Sequence, residues 1–371
     1  MVPRLRSQTK NPRASRKLQI GSGVATLATM KLESRRFRTK TVVLWVLTLV
    51  VAASAISGFM IYRFPLELHE FSQLRELKKA GVTRFDDSAH DVKGLLKADC
   101  GVSPGNALPS SAPASCGCVL LVHGLGDSAL TWRKLLLHPS ESWSQQLRWY
   151  AIDLPAHGAN LVKSSNGQPW LGDELRVREV ASHTVAWMKS ETQCRGWTVV
   201  GNSFGGWISA WITKIGTRKL VGHLALVDST GLKHQRERDQ ADVKSQRWIT
   251  EPSVESLKEF QRRAYFKPRE LEGYVWEAAL RRLLRTPLDE VLKAQSPEDY
   301  LDAELAEIKQ PTLVFWGKND QITPLEDGRE LSKLVKERLH REAQDCGHLP
   351  QKECALALHR ALEELWAFGA F

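Results

Sequence analysis

Residues Gly201-Asn202-Ser203-Phe204-Gly205 set one serine among glycines, with Gly206 next. The apolar run "WTVV" precedes them and "WISAWITKI" follows. This texture suits a strand that turns abruptly into a helix, because Gly201 and Gly205 put no side chain into the crowded turn. The turn exposes the serine hydroxyl and brings the Phe204 amide and the positive end of a helix to the attacking centre. A hydroxyl is a weak nucleophile until a base takes its proton, and that base needs an acid to orient it. The chemistry so implied is attack of Ser203 on a carbonyl.

In this motif the acid and then the base follow the serine along the chain. Asp320 in "FWGKNDQITP" and His348 in "DCGHLPQKE" meet that order. Both fall at the C-terminal ends of expected strands, where open α/β sheets gather their sites. Asp228 in "LVDSTG" also follows an apolar run and competes for the acid; Asp320 is preferred. The oxyanion needs donors, and His123-Gly124-Leu125-Gly126 supplies a second loop. There the backbone N–H of Leu125 is expected to pair with that of Phe204. His123 is expected to lock this loop by hydrogen bonds. Asp153 and His157 in "DLPAHG" read as a structured turn, with Asp153 accepting from backbone amides. The thirteen tryptophans read as packing residues, with Trp207 a candidate for the acyl pocket.

The elements that must position these residues alternate along the chain. Expected strands are 118–124, 148–155, 197–203, 222–231 and 311–320, with a weaker one in 337–348. Expected helices are 173–190, 205–216, 325–335 and 352–368. This order predicts an α/β fold whose mostly parallel sheet is covered by helices on both faces. Residues 232–308 break the alternation, being charged and helical in pattern, and predict an inserted cap. Residues 63–117 predict a helical segment followed by a Pro/Ser/Cys-rich linker.

Charge and cysteines bound the setting. The 371-residue chain has a net charge of +10, and residues 1–40 alone account for it with eleven Lys/Arg against Glu33. The remainder is neutral, which argues against a nucleic-acid-binding face on the folded part. Residues 41–62 have no charge and are long enough to cross a hydrocarbon core of roughly 30 Å. The basic flank before them predicts a single-pass anchor with a cytoplasmic N-terminus and an exported bulk, periplasmic in a bacterium. The alternative is a signal peptide starting at Met30 with an A-x-A site at Ala53–Ala55. In the exported setting Cys100 could bridge Cys116 or Cys118, or these could be free thiols in a linker. Cys346 and Cys354 read as small core residues. Neither a metal site nor a cofactor is expected.

The ordered motifs HGLGDS, DLPAHG, GNSFGG, WGKND and CGH, over roughly 118–371, resemble an α/β-hydrolase of the serine-triad type. Within that superfamily the spacing, "STGL" before the cap and the N-terminal segment are most similar to membrane-anchored monoacylglycerol lipases. The resemblance implies an α/β-hydrolase core at 118–231 and 309–371. It also implies Ser203, Asp320 and His348 as triad, Leu125 and Phe204 as oxyanion donors, and hydrolysis of lipid-like esters beside a membrane. GNS-x-GG also occurs in hydrolases that split C–C bonds of ring-cleavage products. That activity, amide hydrolysis, and a catalytically silent tethered binding protein are the alternatives. Two departures stand out: Ala156 where many relatives have Gly, and a 100–117 stretch in place of the usual β-hairpin lead-in.

Overall fold

The computed structural model describes residues 22–98, 116–137, 147–241 and 247–368. The extreme N-terminus, Cys100 and most of the 100–117 linker lie outside the described residues. The chain divides after Tyr62 into two compact units. In the first, helix α1 (Ser22–Arg63) contains Val42–Arg63, long and apolar enough to cross a membrane, with its side chains exposed.

The second unit opens with α2 (Pro65–Lys79), then β1 (Val82–Asp87), β2 (Val92–Ala98), β3 (Cys116–Val122), α3 (Arg133–Leu137) and β4 (Leu147–Asp153). There follow α4 (Val177–Ser190), β5 (Cys194–Asn202), α5 (Phe204–Leu220) and β6 (Val221–Val227). Five helices come next: α6 (Lys233–Ala241), α7 (Arg247–Thr250), α8 (Val254–Ala264), α9 (Gly273–Leu283) and α10 (Leu288–Lys293). The chain ends with β7 (Thr312–Gly317), α11 (Leu325–Leu334), β8 (Arg338–Ala343), α12 (Pro350–Glu353) and α13 (Ala355–Phe368).

The eight strands form one sheet in the order β1-β2-β4-β3-β5-β6-β7-β8. β1 and β2 are antiparallel to each other and β2 to β4, while β4 through β8 pair in parallel. Alternate residues of each strand face opposite sides. Cys118, Leu120 and Val122 of β3 pack with α4, α5 and α11. Val119 and Leu121 pack on the other side with α3 and α13. Both faces are therefore covered, which is why the central strands read as unbroken apolar runs.

The hairpin β1–β2 departs from the sequence expectation of a helical segment leading straight into the linker. β1 is an edge strand in which only Val82 is buried and Phe85 half-buried among polar residues, so it gives no apolar run to read. The hairpin lead-in is thus present, but upstream of the linker. Its turn is held by the Asp87 carboxylate, whose Oδ1 accepts from the amides of Ala89 and His90.

The cysteine expectations also change. Cys118 bonds Cys194, joining β3 to the neighbouring β5, and not Cys100. Cys116 is disulfide-bonded as well. Cys346 and Cys354 are not free core thiols; they bond each other. Ala156 takes φ 63°, a left-handed conformation that glycine adopts without cost, so the departure at this position carries backbone strain.

Candidate active site

Strand β5 ends at Asn202 and helix α5 begins at Phe204, so the whole reversal falls on Ser203, at φ 55° and ψ −122°. The glycines make room for it. A Cβ on Gly201 would stand 2.2 Å from the Gly205 carbonyl oxygen, and one on Gly205 2.3 Å from that of His123. Helix α5 thus starts pressed against both its own strand and the end of β3. The Ser203 carbonyl accepts from the amides of Gly206 and Thr230, which fixes the turn to the segment after β6.

Asp320 follows β7 and His348 follows β8, each beyond the C-terminal end of its strand, as Ser203 follows β5. His348 Nδ1 lies 2.7 Å from Asp320 Oδ2, with both side chains buried. Asp320 Oδ1 accepts from the amides of Ile322 and Thr323, and Oδ2 accepts from the Thr323 hydroxyl at 2.6 Å. A carboxylate held by this many donors presents a fixed oxygen to the imidazole. That contact puts the Nδ1 proton towards Asp320 and leaves Nε2 free to act as a base. Asp228, the rival acid, instead accepts from the Gly317 amide at 2.8 Å.

The neighbour of Ser203 joins the loops. Asn202 Nδ2 donates to the carbonyls of His348 (3.0 Å) and Val227 (3.1 Å), and its Oδ1 accepts from Gln351 Nε2 at 3.0 Å. Gln351 also donates to the Thr131 hydroxyl, and its neighbour Lys352 pairs with Asp127 at 2.6 Å. α12 therefore ties the serine turn to the loop after β3. The Lys352 ammonium holds the Asp127 carboxyl below the usual range against the opposing effect of burial. The sequence gives no sign of the side-chain roles of Asn202, Gln351 and Thr323; nothing in their spacing marks them.

The loop after β3 runs beside the serine. A Cβ on Gly124 would stand 3.2 Å from Ser203 Cβ, so the segment leading into Leu125 passes directly over the turn. His123 is fully buried; its Nε2 accepts from the Leu154 amide and its Nδ1 donates to the Gly124 carbonyl. It braces the loop, and burial lowers its pKa. Leu125 packs against the main core and against Trp248, Ile249 and Leu288 of the β6–β7 insertion. Asp153 accepts from the amides of Ala129 and Ala159, the backbone role expected for it. His157 is buried, its pKa pushed down to about 3 by burial and by neighbouring His123.

The insertion between β6 and β7 grips these loops. The His348 amide donates to the Ala264 carbonyl at the end of α8, and the Gln321 amide to that of Arg263. The Glu353 carboxylate accepts from the amides of Gly347 and Phe266. Trp207 and Trp211 on α5 both donate to the Asp299 carbonyl, and Trp207 stacks on Tyr300 at 5.0 Å. Trp207 thus fastens the insertion to α5. The disulfide Cys346–Cys354 brackets His348 and closes its loop. Among the described residues no cluster of metal-ligating side chains occurs.

The chain is similar to known proteins in sequence and in fold. The profile of the alpha/beta hydrolase family matches residues 119–361. A 2-hydroxy-6-oxononadienedioate/2-hydroxy-6-oxononatrienedioate hydrolase of Escherichia coli is 27% identical over 253 residues, 65% of this chain and 84% of that protein. A membrane phospholipase A described as a bacterial virulence factor superposes with TM-score 0.62 at 19% identity, over 86% of this chain and 98% of that one. An esterase of Thermogutta terrifontis superposes with TM-score 0.52 at 20% identity, over 69% of this chain and 92% of that one. The chain belongs to the alpha/beta hydrolase family.

Proposed function

We propose that the protein is a serine hydrolase of carboxylic esters, with lipid-like esters such as monoacylglycerols as its substrate class. The observation that carries this reading is the buried His348–Asp320 contact at 2.7 Å, tied through Asn202 to the turn that presents Ser203. In the proposed reaction His348 Nε2 takes the Ser203 proton as Oγ attacks the ester carbonyl. The amides of Leu125 and Phe204 hold the oxyanion. His348 then protonates the leaving alcohol, and water hydrolyses the acyl-enzyme by the same route in reverse roles. Asp320 stays ionised and stabilises the imidazolium. This chemistry uses no metal or cofactor. The helices at 232–308 act as the cap that shapes the acyl pocket.

The lipid-like preference rests on the apolar segment Val42–Arg63, read as a single-pass anchor that places the hydrolase beside a bilayer. Basic residues Arg35, Arg36, Arg38 and Lys40 before it favour a cytoplasmic N-terminus. Two disulfides among the described residues, Cys118–Cys194 and Cys346–Cys354, fit a hydrolase domain exported to an oxidising compartment.

A second reading, hydrolysis of a C–C bond in a ring-cleavage product, is favoured by the 27% identity to the Escherichia coli hydrolase. Steady-state rates on p-nitrophenyl esters of rising chain length, beside rates on a 2-hydroxy-6-oxo-dienoate, separate the two. The ester reading expects turnover that rises with acyl length and negligible cleavage of the dienoate. The reverse ranking would establish the C–C reading.

A further inference from the structure

Thr323 is a second side chain that reaches His348, and the proposed reaction gives it no part. Among the described residues, two side chains lie within hydrogen-bonding range of His348 Nδ1: Asp320 Oδ2 at 2.7 Å and Thr323 Oγ1 at 3.2 Å. The same hydroxyl is 2.6 Å from Asp320 Oδ2 and 3.4 Å from the Asp228 backbone carbonyl. It therefore closes a triangle with the proposed acid and base. Thr323 is only 2% exposed, so water does not compete for these contacts.

The fold leaves this hydroxyl little freedom. The Thr323 amide donates to Asp320 Oδ1, and its carbonyl accepts from Trp316 Nε1 at 2.8 Å. Trp316 is itself fully buried in β7, so the backbone of Thr323 is pinned from two sides. Pro324 follows and restricts that backbone further, and a β-branched side chain has few χ1 states. A hydroxyl has one hydrogen and two lone pairs. The hydrogen goes to Asp320 Oδ2, the nearest of its acceptors. A lone pair is then left to face His348 Nδ1.

We propose that Thr323 is a positioning residue whose hydroxyl donates to Asp320 Oδ2 and accepts from the Nδ1–H of His348. The donation fixes the Asp320 oxygen that faces the imidazole. The acceptance gives the Nδ1 proton a second acceptor, which disfavours the tautomer with its proton on Nε2, where the ring could not act as base. When Nε2 takes the Ser203 proton the ring becomes cationic, and the bonds from Nδ1 to both acceptors strengthen. The gain is therefore largest in the transition state and falls on kcat. The inference rests on reading Asp320 and His348 as acid and base.

The test is steady-state kinetics of the full-length chain on p-nitrophenyl butyrate, with kcat and KM separated. Thr323→Val keeps the branched shape and the backbone contacts and removes the hydroxyl. It should lower kcat about tenfold and leave KM within about twofold of native. Thr323→Ser restores the hydroxyl and should bring kcat to within about threefold of native. Asp320→Ala should lower kcat by roughly 10³–10⁴. Adding Thr323→Val to it should cost less than about twofold more, because the hydroxyl acts through Asp320. An unchanged kcat in Thr323→Val would overturn the proposal and leave the acid and base in place. So would a further tenfold loss in the Asp320→Ala background (about the single-variant effect), since the hydroxyl would then act independently of Asp320. A Thr323→Ser variant as slow as Thr323→Val would overturn it too, by making the γ-methyl the group that matters. An unimpaired Asp320→Ala would instead remove the acid role of Asp320, and the proposal with it. Should Thr323→Val fail to fold, Thr323→Ala is compared with Thr323→Ser, a pair that differs in the hydroxyl alone; equal kcat in the two would contradict the proposal.

Discussion

Asn202 Nδ2 donates to the backbone carbonyl of His348 at 3.0 Å, so the residue before Ser203 binds its own turn to the histidine loop. The same buried amide group satisfies Val227 and Gln351. Asn202→Ala would leave two buried carbonyls and the Gln351 amide one partner short, at a cost of about 2–4 kcal/mol. It should also lower kcat/KM about 10–100-fold, because the two loops lose their shared tether. Urea denaturation and initial rates on p-nitrophenyl butyrate measure both effects. An unchanged rate would mean that other contacts suffice to hold the loops in register.

Gly205 is fixed by contact. A Cβ there would lie within 2.4 Å of the carbonyl oxygens of both His123 and Val122, neither of which can move without pulling β3 out of register. Gly205→Ala should destabilise the fold by more than about 3 kcal/mol. Gly167→Ala is the control. Gly167, unlike Gly205, has positive φ, at 70°, but nothing stands within 4 Å, so only the backbone strain of about 1 kcal/mol applies. Thermal melts of the two variants should differ clearly; equal melting temperatures would contradict the close packing at Gly205.

The two disulfides should separate stability from turnover. Cys118–Cys194 spans 76 residues between core strands, and its loss should cost about 4.5 kcal/mol by the loop-entropy relation. Cys346–Cys354 spans eight residues around His348, for about 2.5 kcal/mol. Only the second holds a loop of the site. A Cys346→Ser/Cys354→Ser variant should therefore lose kcat well below its melting temperature, whereas Cys118→Ser/Cys194→Ser should keep kcat and melt earlier. Assays at 15–20 °C below each variant's melting temperature distinguish the two; the opposite pattern would refute this division.

The fold was legible where burial is two-sided. β3, β5, β6 and β7 announced themselves as apolar runs because helices cover both faces, and Ser203 and Asp320 each sit just past such a run, whereas His348 follows the largely polar β8. The β1–β2 hairpin was not legible, since its edge strand is largely polar. Asp320 and Asp228 looked alike in sequence, as each follows a core strand. Only the contact with His348 tells them apart. Asn202 and Gln351 were invisible because the contact of Asn202 with His348 and that between the two of them span 146 and 149 residues of the chain. Cys346 and Cys354 were read as packing residues although their short spacing flanks the histidine.

Acid should weaken the fold through His157. Its Nδ1 donates to the Pro155 carbonyl, its Nε2 is buried with no partner among the described residues, and burial holds its pKa down to about 3. The unfolded chain takes up a proton on this residue below about pH 6.5, and the folded chain does not until about pH 3. Stability contributed by the neutral ring is complete above the unfolded pKa and falls with pH across that window, by about 1.4 kcal/mol per pH unit for one proton. His157→Asn should remove that one-proton slope from the urea midpoint between pH 6 and 4. A variant with an unaltered slope would show that His157 titrates normally in the fold.

The central claim, that Ser203 is the acylated nucleophile, is tested most directly by intact-mass and peptide mass spectrometry after reaction with a fluorophosphonate. The account predicts one adduct, on the peptide that contains Ser203, absent in Ser203→Ala and matched by loss of ester turnover. An adduct of equal yield in Ser203→Ala, or ester turnover that survives the substitution, would contradict it.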